Sequence, residues 1–202
     1  MGLAYLLEQR KAWMLSSWRL LIERYPALGE EITVGTWHCG RKGIYGYRNF
    51  VLFDREDHLL AEADSPWFLL NLDTGTPCRV MPEDVEGYGV PGEPLPLKRT
   101  PGKIDLSGTR ACGEKITVSP YHIDTNHHVN NAQYIAFARE AAGISFPIAE
   151  LRADYRRAAV LGDVIELRTD RRTDERPAEV TVGLFNAQGE PYAAVWMKAK
   201  NV

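Results

Sequence analysis

The chain has 202 residues, 45% of them apolar and 25% charged, with a formal net charge of −3. That balance fits an ordinary globular protein of one large or two small domains and gives no global pull towards nucleic acid or a membrane surface. No apolar run reaches the ~18 residues of a membrane span, and Cys39, Cys78 and Cys112, an odd count without ligand spacing, predict free thiols in a reducing cytoplasm.

Taken in chain order, residues 19–34 predict two strands around a turn, and 50–57 leading into 59–63 predict two more. The stretch 72–112 carries six prolines and many glycines. It is predicted as a surface linker, since that composition suits neither long helices nor central strands. Residues 115–118 read as a strand, followed by a dense polar segment, 122–134. A helix is predicted over about 129–142, with Ile135, Ala138 and Ala142 at helical spacing and Gly143 ending it. Four strands follow, at about 149–159, 163–171, 178–186 and 191–200. One buried helix wrapped by one antiparallel sheet is the economical packing of such a unit.

The chain repeats itself. Leu28-Gly29-Glu30 returns as Leu161-Gly162-Asp163, 133 residues later. The paired strands at 50–57 and 59–63 return at 182–189 and 191–195, with Phe53 and Phe185, like Ala61 and Ala193, 132 apart. One long shared offset predicts a duplicated β-rich unit rather than a solenoid. The expected organisation is a first copy at 1–71, a linker at 72–112 and a second copy at 113–202. At the same offset, the counterpart of the 114–142 strand and helix falls mostly before Met1, and residues 2–10 are at most its remnant. The first copy is therefore expected to be incomplete, through a truncated start in preference to completion by another chain.

Segment 122–134 packs an acid, three imidazoles and a run of carboxamides into thirteen residues before the helix. Such groups are costly to bury unpaired. Asp124, Asn126 and His128 stand at i, i+2 and i+4, which places them on one face if the segment is extended. Acid, amide and imidazole together can activate a water and hold a polarised carbonyl. The structural alternatives are a turn or capping carboxylate for Asp124 and an Asx turn for Asn126. The helix start offers Val129 and Asn130 as candidate amide donors to a developing oxyanion. Asn131 and Tyr134 are expected to pin loop to helix. His122 and His127 read as outward or structural. Sequence-adjacent imidazoles without a defined ligand pattern predict no metal, and no cofactor is expected.

On Asp124-Thr-Asn-His-His-Val-Asn-Asn-Ala-Gln-Tyr134 the sequence resembles the acyl-acyl-carrier-protein thioesterases, whose pattern is Asp-x-Asn-x-His-Val-Asn-Asn-x-x-Tyr. Trp13-Met-Leu, Arg24-Tyr-Pro, Thr36-Trp37, Arg48-x-Phe50, Ser65-x-Trp67 and Tyr155-Arg-Arg157 extend the resemblance over most of the chain. It implies an α+β double hotdog: two copies of an antiparallel sheet around a central helix, the first lacking its N-terminal strand and most of its helix. It also implies hydrolysis of fatty acyl-ACP thioesters to free acid and carrier. Glu140 matches a carboxylate of the family's helix and is either a partner of the site or solvated. Where plant members carry Glu-Cys after Tyr-Arg-Arg, this chain has Ala158 and Ala159, so water activated by Asp124 and His128 must act, with Asn126 holding the carbonyl. Trp13, Trp18, Trp37 and Trp67 are expected in the core of the first unit, which by resemblance supplies the acyl pocket. Arg152, Arg156, Arg157, Arg168, Arg171 and Arg172 are the candidate patch for an acidic carrier protein carrying a phosphopantetheine-linked chain; a solvated strand face is the alternative reading. A homodimer is a further expectation. The rival functions are an acyl-CoA thioesterase and a non-catalytic acyl-binding module.

Overall fold

The computed structural model describes residues 3–97, 102–144, 146–172 and 178–200. It resolves into two compact units, 1–100 and 101–202.

In the second unit the strands are β7 (Arg110–Thr117), β8 (Ile148–Tyr155), β9 (Val164–Arg172), β10 (Glu179–Phe185) and β11 (Pro191–Ala199), and its long helix spans Asn131–Ala142. The sheet is antiparallel in the order β8-β11-β10-β9-β7. Strand alternation sends Leu151 and Ala153, Ile165 and Leu167, Val180, Val182 and Leu184, and Val195 and Met197 to one face, where all are buried. The helix answers with buried Tyr134, Phe137, Ala138 and Ala141. Each large apolar side chain so buried contributes roughly 1.5–3 kcal/mol. The helix begins two residues later than the periodicity predicts. Asn130 is its N-cap, the side-chain oxygen accepting the Ala132 N–H at 2.9 Å. Gly143 ends it at φ +53°, a left-handed position where glycine avoids the Cβ clash. Residues 102–108 run along the opposite face of the sheet: the Ile104 N–H donates to Asp154 Oδ2, and Arg156 Nη2 donates to the Ile104 carbonyl.

The first unit orders its main strands β3-β4-β5-β2, with β2 at Ser17–Ile22, β3 at Thr33–Lys42, β4 at Tyr45–Phe53 and β5 at Leu59–Asn71. The long β5 pairs with β2 over residues 61–64 and with β1 (Lys11–Leu15) over 67–71. A short helix at Leu3–Glu8 sets Leu6 against Leu69 and Val80. Helix, then strand, is the order seen at the helix and β8 of the second unit. The stretch predicted as a linker does not run free: β6 (Thr76–Cys78) pairs with β5, a helical turn forms at Glu83–Glu86, and β7 opens at Arg110. Residues 98–101 of that stretch lie outside the described residues.

The duplication is visible bond by bond. The turn at Ala27–Glu30 has Glu30 N–H donating to the Ala27 carbonyl (3.1 Å) while Glu30 Oε2 accepts the Ala27 N–H (2.7 Å). At Val160–Asp163 the same two bonds measure 3.1 and 2.9 Å. Gly29 and Gly162 take φ +84° and +87° in these turns, a backbone state open to glycine at little cost.

The four tryptophans do not fill the first unit's core; each is half-buried. The buried apolar positions belong to smaller side chains, Leu6, Leu15, Leu60, Ala63, Leu69 and Val80, beside buried polar His38, Asn49, Asp64 and Ser65. Two of them sit where an acceptor meets the indole N–H. Trp67 donates to Ser65 Oγ (2.8 Å) and Trp37 to the Glu93 carbonyl (2.9 Å).

Candidate active site

The polar segment before the long helix is a closed loop and not an extended strand, so the one-face argument from alternation does not apply. Ile123 and Val129 form an antiparallel bridge. Below it the Asn130 N–H donates to the His122 carbonyl (2.9 Å), and above it the Asp124 N–H donates to the His128 carbonyl (2.8 Å). Asp124 and His128 therefore face each other across the neck of a five-residue loop, a tighter relation than i, i+4 in a strand. Within it the His127 N–H donates to the Asp124 carbonyl (3.0 Å), and Asp124 Oδ1 accepts the Asn126 N–H (2.8 Å). This Asx turn leaves Oδ2 without a bond among the described residues. His127 pays the conformational cost at φ +62°. Thr125, Asn126 and His127 are exposed, while Asp124 and His128 are half-buried.

Two expected amide donors are not free. The Val129 N–H donates to the Ala159 carbonyl (2.9 Å) and the Asn130 N–H to the His122 carbonyl. Both bonds define the loop neck, so neither hydrogen is available to an oxyanion. The N–H groups of Thr125 and His128 have no acceptor among the described residues.

Beneath the loop lies a set of hydroxyl contacts. Tyr134, 2% exposed, accepts the Ala159 N–H on its phenol oxygen at 2.8 Å. Burial raises its pKa to about 12, which keeps the hydroxyl neutral. The same Ala159 peptide holds Val129, so helix, strand end and motif loop meet at one amide. Tyr155 donates to the Asn131 carbonyl (3.1 Å) and packs edge-on against Tyr134 at 5.9 Å. Burial drives its phenol pKa upward too. Tyr192 donates to Asp163 Oδ2 (2.9 Å); burial and then that carboxylate raise its pKa to about 12. Ala158 is exposed and Ala159 fully buried. Tyr155 and Ala159 stood out in the sequence only through the family resemblance, and Tyr192 only as part of a strand; the repeated Leu-Gly-acid turn was the one signal that marked Asp163.

The other expected residues separate. His122 is structural: its Nδ1 accepts the Ser119 N–H (3.1 Å), and its ring meets Phe137 edge-on at 4.9 Å. Glu140 is exposed on the helix, which corrects its reading as a buried partner of the site and leaves the solvated one. The six arginines are not one patch. Arg171 donates to the Ala141 carbonyl at the helix end (2.8 Å), and Arg157 pairs with Glu190 (2.9 Å). Arg156 lies beside Asp154, and Arg168 covers the Phe185 ring at 4.2 Å. Arg152 and Arg172 line a cavity of about 280 Å³ that also holds Asp105, Asp170 and Glu179. Alternation along β9 explains part of this dispersal, since Arg171 shares the face of Ile165 and Leu167 while Arg168 and Arg172 take the other.

Asp54, Glu56 and His58 bring their ligand atoms within 4.8 Å of one another. Asp54, however, already accepts the N–H groups of Glu56 and His58 and an Arg24 N–H. Those bonds make it a turn carboxylate. No described helix is long and apolar enough to cross a membrane.

Known proteins align with both units. Residues 1–88 match the acyl-ACP thioesterase N-terminal domain and residues 109–199 the acyl-ACP thioesterase C-terminal domain. A palmitoyl-acyl carrier protein thioesterase of Gossypium hirsutum is 27% identical over 189 residues, covering 87% of this chain and 45% of that protein. Oleoyl-acyl carrier protein thioesterase 2 of Arabidopsis thaliana is 28% identical over 208 residues, covering 93% and 55%. Both are chloroplastic, and the chain spans about half their length. Among solved structures, an acyl-ACP thioesterase from Bacteroides thetaiotaomicron superposes with a TM-score of 0.85 at 23% identity, over 98% of this chain and 81% of that one. A Mycobacterium tuberculosis protein with a double hotdog fold gives 0.58 at 14% identity, over 98% and 78%. The helix-in-sheet units and the bond-for-bond duplication are thus those of a double hotdog, and with both of its domains matched the chain belongs to the acyl-ACP thioesterase family.

Proposed function

We propose that the chain hydrolyses fatty acyl-ACP thioesters, releasing free acid and carrier thiol by attack of water. The observation that carries this reading is the closed loop neck, which sets Asp124 opposite His128 with Asn126 at the exposed tip. Asp124 draws the proton from water through Oδ2, and His128 orients that water and relays this proton from Asp124 to the leaving thiolate. The Asn126 carboxamide donates to the thioester carbonyl. With Val129 and Asn130 held in the neck, the N–H groups of Thr125 and His128 replace them as oxyanion donors. Ala158 and Ala159 supply no nucleophile, so no acyl-enzyme intermediate forms at those positions.

The proposed partner is an acidic carrier protein. Dispersal of the arginines narrows its candidate contacts to the outward Arg157, Arg168 and Arg172. The free thiols of Cys39, Cys78 and Cys112 suit work in a reducing cytoplasm.

Asp124→Asn is the decisive variant, because asparagine keeps the Asx-turn acceptor and removes the base. Turnover should fall about 100-fold or more with an unchanged melting temperature. Unchanged turnover removes Asp124 from the mechanism. A wild-type chain without hydrolysis points instead to an acyl-binding module. Parallel kinetics on acyl-ACP and acyl-CoA settle the carrier, and a strong preference for CoA esters would overturn this choice.

A further inference from the structure

Two rows of paired residues cross the outer face of the second unit's sheet. One row is Glu150, Lys198, Glu179 and Arg172, and the other is Arg152, Trp196, Thr181 and Asp170. In the first row opposite signs are neighbours, and Lys198 lies 3.7 Å from Glu179. In the second row Trp196 and Thr181 separate the cation from the acid, whose backbones stand roughly 14 Å apart at three strand spacings. Arg152 donates once, to the Gly102 carbonyl (3.3 Å), so most of its five donors are unmatched. Asp170 has no hydrogen bond or ion pair among the described residues.

Residues 102–108 close over this second row. Their hold on the sheet is the pair of bonds from Ile104 to Asp154 and Arg156. Gly108 lies so near Asp170 that a Cβ there would come within 2.6 Å of its Oδ2. Between segment and strands is the cavity of about 280 Å³, lined by all four residues of the row. Two of its three carboxylates are already engaged. Glu179 accepts the Trp196 indole N–H (3.2 Å), and Asp105 accepts the N–H (2.9 Å) and hydroxyl (2.8 Å) of Ser107. Lys103 and Arg172 are exposed at the rim. The groups left for a ligand are therefore one guanidinium and one carboxylate, held apart across an indole. A simple anion drawn to Arg152 meets the charge of Asp170, and a simple cation drawn to Asp170 meets that of Arg152.

We infer that this cavity is a binding site for a small zwitterion, an amino acid whose carboxylate pairs with Arg152 and whose ammonium group pairs with Asp170. A guanidinium matches a carboxylate by two parallel N–H···O bonds. The methylenes between the ligand's charges lie against the Trp196 ring, and its two ends satisfy groups that cannot reach each other. The site shares no residue with the motif loop and does not rest on the hydrolysis reading.

The test is calorimetric titration with γ-aminobutyrate beside butyrate and butylammonium, all at one ionic strength. The zwitterion should bind about tenfold or more tightly than either analogue, the range of one charged hydrogen-bonded contact. Arg152→Gln should reduce its affinity to that of butylammonium, and Asp170→Asn to that of butyrate, each with an unchanged melting temperature. The indole N–H resonance of Trp196, assigned with Trp196→Phe, should shift on binding. Absence of saturable binding in the wild-type protein, or equal affinity for γ-aminobutyrate and either analogue, overturns the inference without recourse to any variant. So does a preference that survives both substitutions, or a resonance shift confined to other indoles. None of these outcomes touches the thioesterase reading, which stands or falls on turnover.

Discussion

Asp54 and Asn186, 132 residues apart, hold the same turn by the same two bonds. Asp54 Oδ1 accepts the N–H groups of Glu56 (3.0 Å) and His58 (2.8 Å). Asn186 Oδ1 accepts those of Gln188 (3.0 Å) and Glu190 (2.8 Å). Arginines 133 apart close both corners: Arg24 donates to Asp54 Oδ2 (3.1 Å), and Arg157 to Glu190 Oε1 (2.9 Å). The acceptor is common to both copies while the charge is not, which separates the two contributions. Asn186→Ala orphans two backbone donors and should cost about 1–3 kcal/mol in urea unfolding. Asp54→Asn keeps the acceptor and loses the charge that meets the half-exposed Arg24 and the exposed His58 ring, so its cost should stay below about 1 kcal/mol. A larger loss for Asp54→Asn than for Asn186→Ala would show that charge, not turn geometry, maintains the corner.

Tyr134 reaches the motif loop through the Ala159 peptide, whose N–H it accepts and whose carbonyl holds the Val129 N–H. Tyr134→Phe leaves that buried N–H unpaired and should cost about 1–3 kcal/mol of stability. As a positioning residue it should lower kcat with little change in KM, because no substrate contact is lost. A rise in KM at constant kcat would instead give Tyr134 a direct binding role.

Asn130 caps the helix with its side chain while its own N–H closes the loop neck. Asn130→Ala should cost about 1 kcal/mol, and Asn130→Asp or Asn130→Ser should restore most of it. Thermal unfolding with parallel turnover checks this. A collapse of kcat in the stable Asn130→Asp variant would mean that the carboxamide itself touches the substrate.

Elements with strong periodicity or punctuation were legible from the residues. The strands at 148–155, 164–172, 179–185 and 191–199 and the Gly143 stop all lie close to their predicted bounds. The duplication was legible because a Leu-Gly-acid turn needs glycine at positive φ wherever it recurs. Alternation left the 124–128 segment open between an extended face and an Asx turn, since spacing alone cannot distinguish a strand from a turn stabilised by its own side chain. The bond from the Asn126 N–H to Asp124 Oδ1 decides for the turn. Val129 and Asn130 were misjudged for a related reason: helix-start amides are free only when no neighbouring strand end accepts them, and the Ala159 carbonyl is thirty residues away in sequence. Tryptophans were assigned to the core, whereas Trp67 and Trp37 lie half-buried where the Ser65 hydroxyl and the Glu93 carbonyl accept their N–H groups.

The Arg24–Glu30 pair gives the first unit an acid-sensitive corner. Arg24 Nη2 lies 2.6 Å from Glu30 Oε1, and this hydrogen bond, then the Ala27 N–H, lowers the Glu30 pKa from 4.5 to about 2. A carboxyl depressed in the folded state binds fewer protons there than in the unfolded chain. Its stabilisation is therefore complete above pH 4.5 and is lost as pH falls towards 2. Arg24 stays charged throughout this window, so only the carboxylate titrates. Wild type should melt above Glu30→Gln at pH 6, with the gap closing between pH 4.5 and 2. Because the pair is partly exposed, salt near 1 M should narrow the gap at pH 6 as well. The corresponding turn in the second unit meets the Tyr192 hydroxyl in place of a guanidinium. Asp163→Asn should accordingly show a much weaker salt dependence, and an equal one would mean that the Arg24 charge is not the source of the effect.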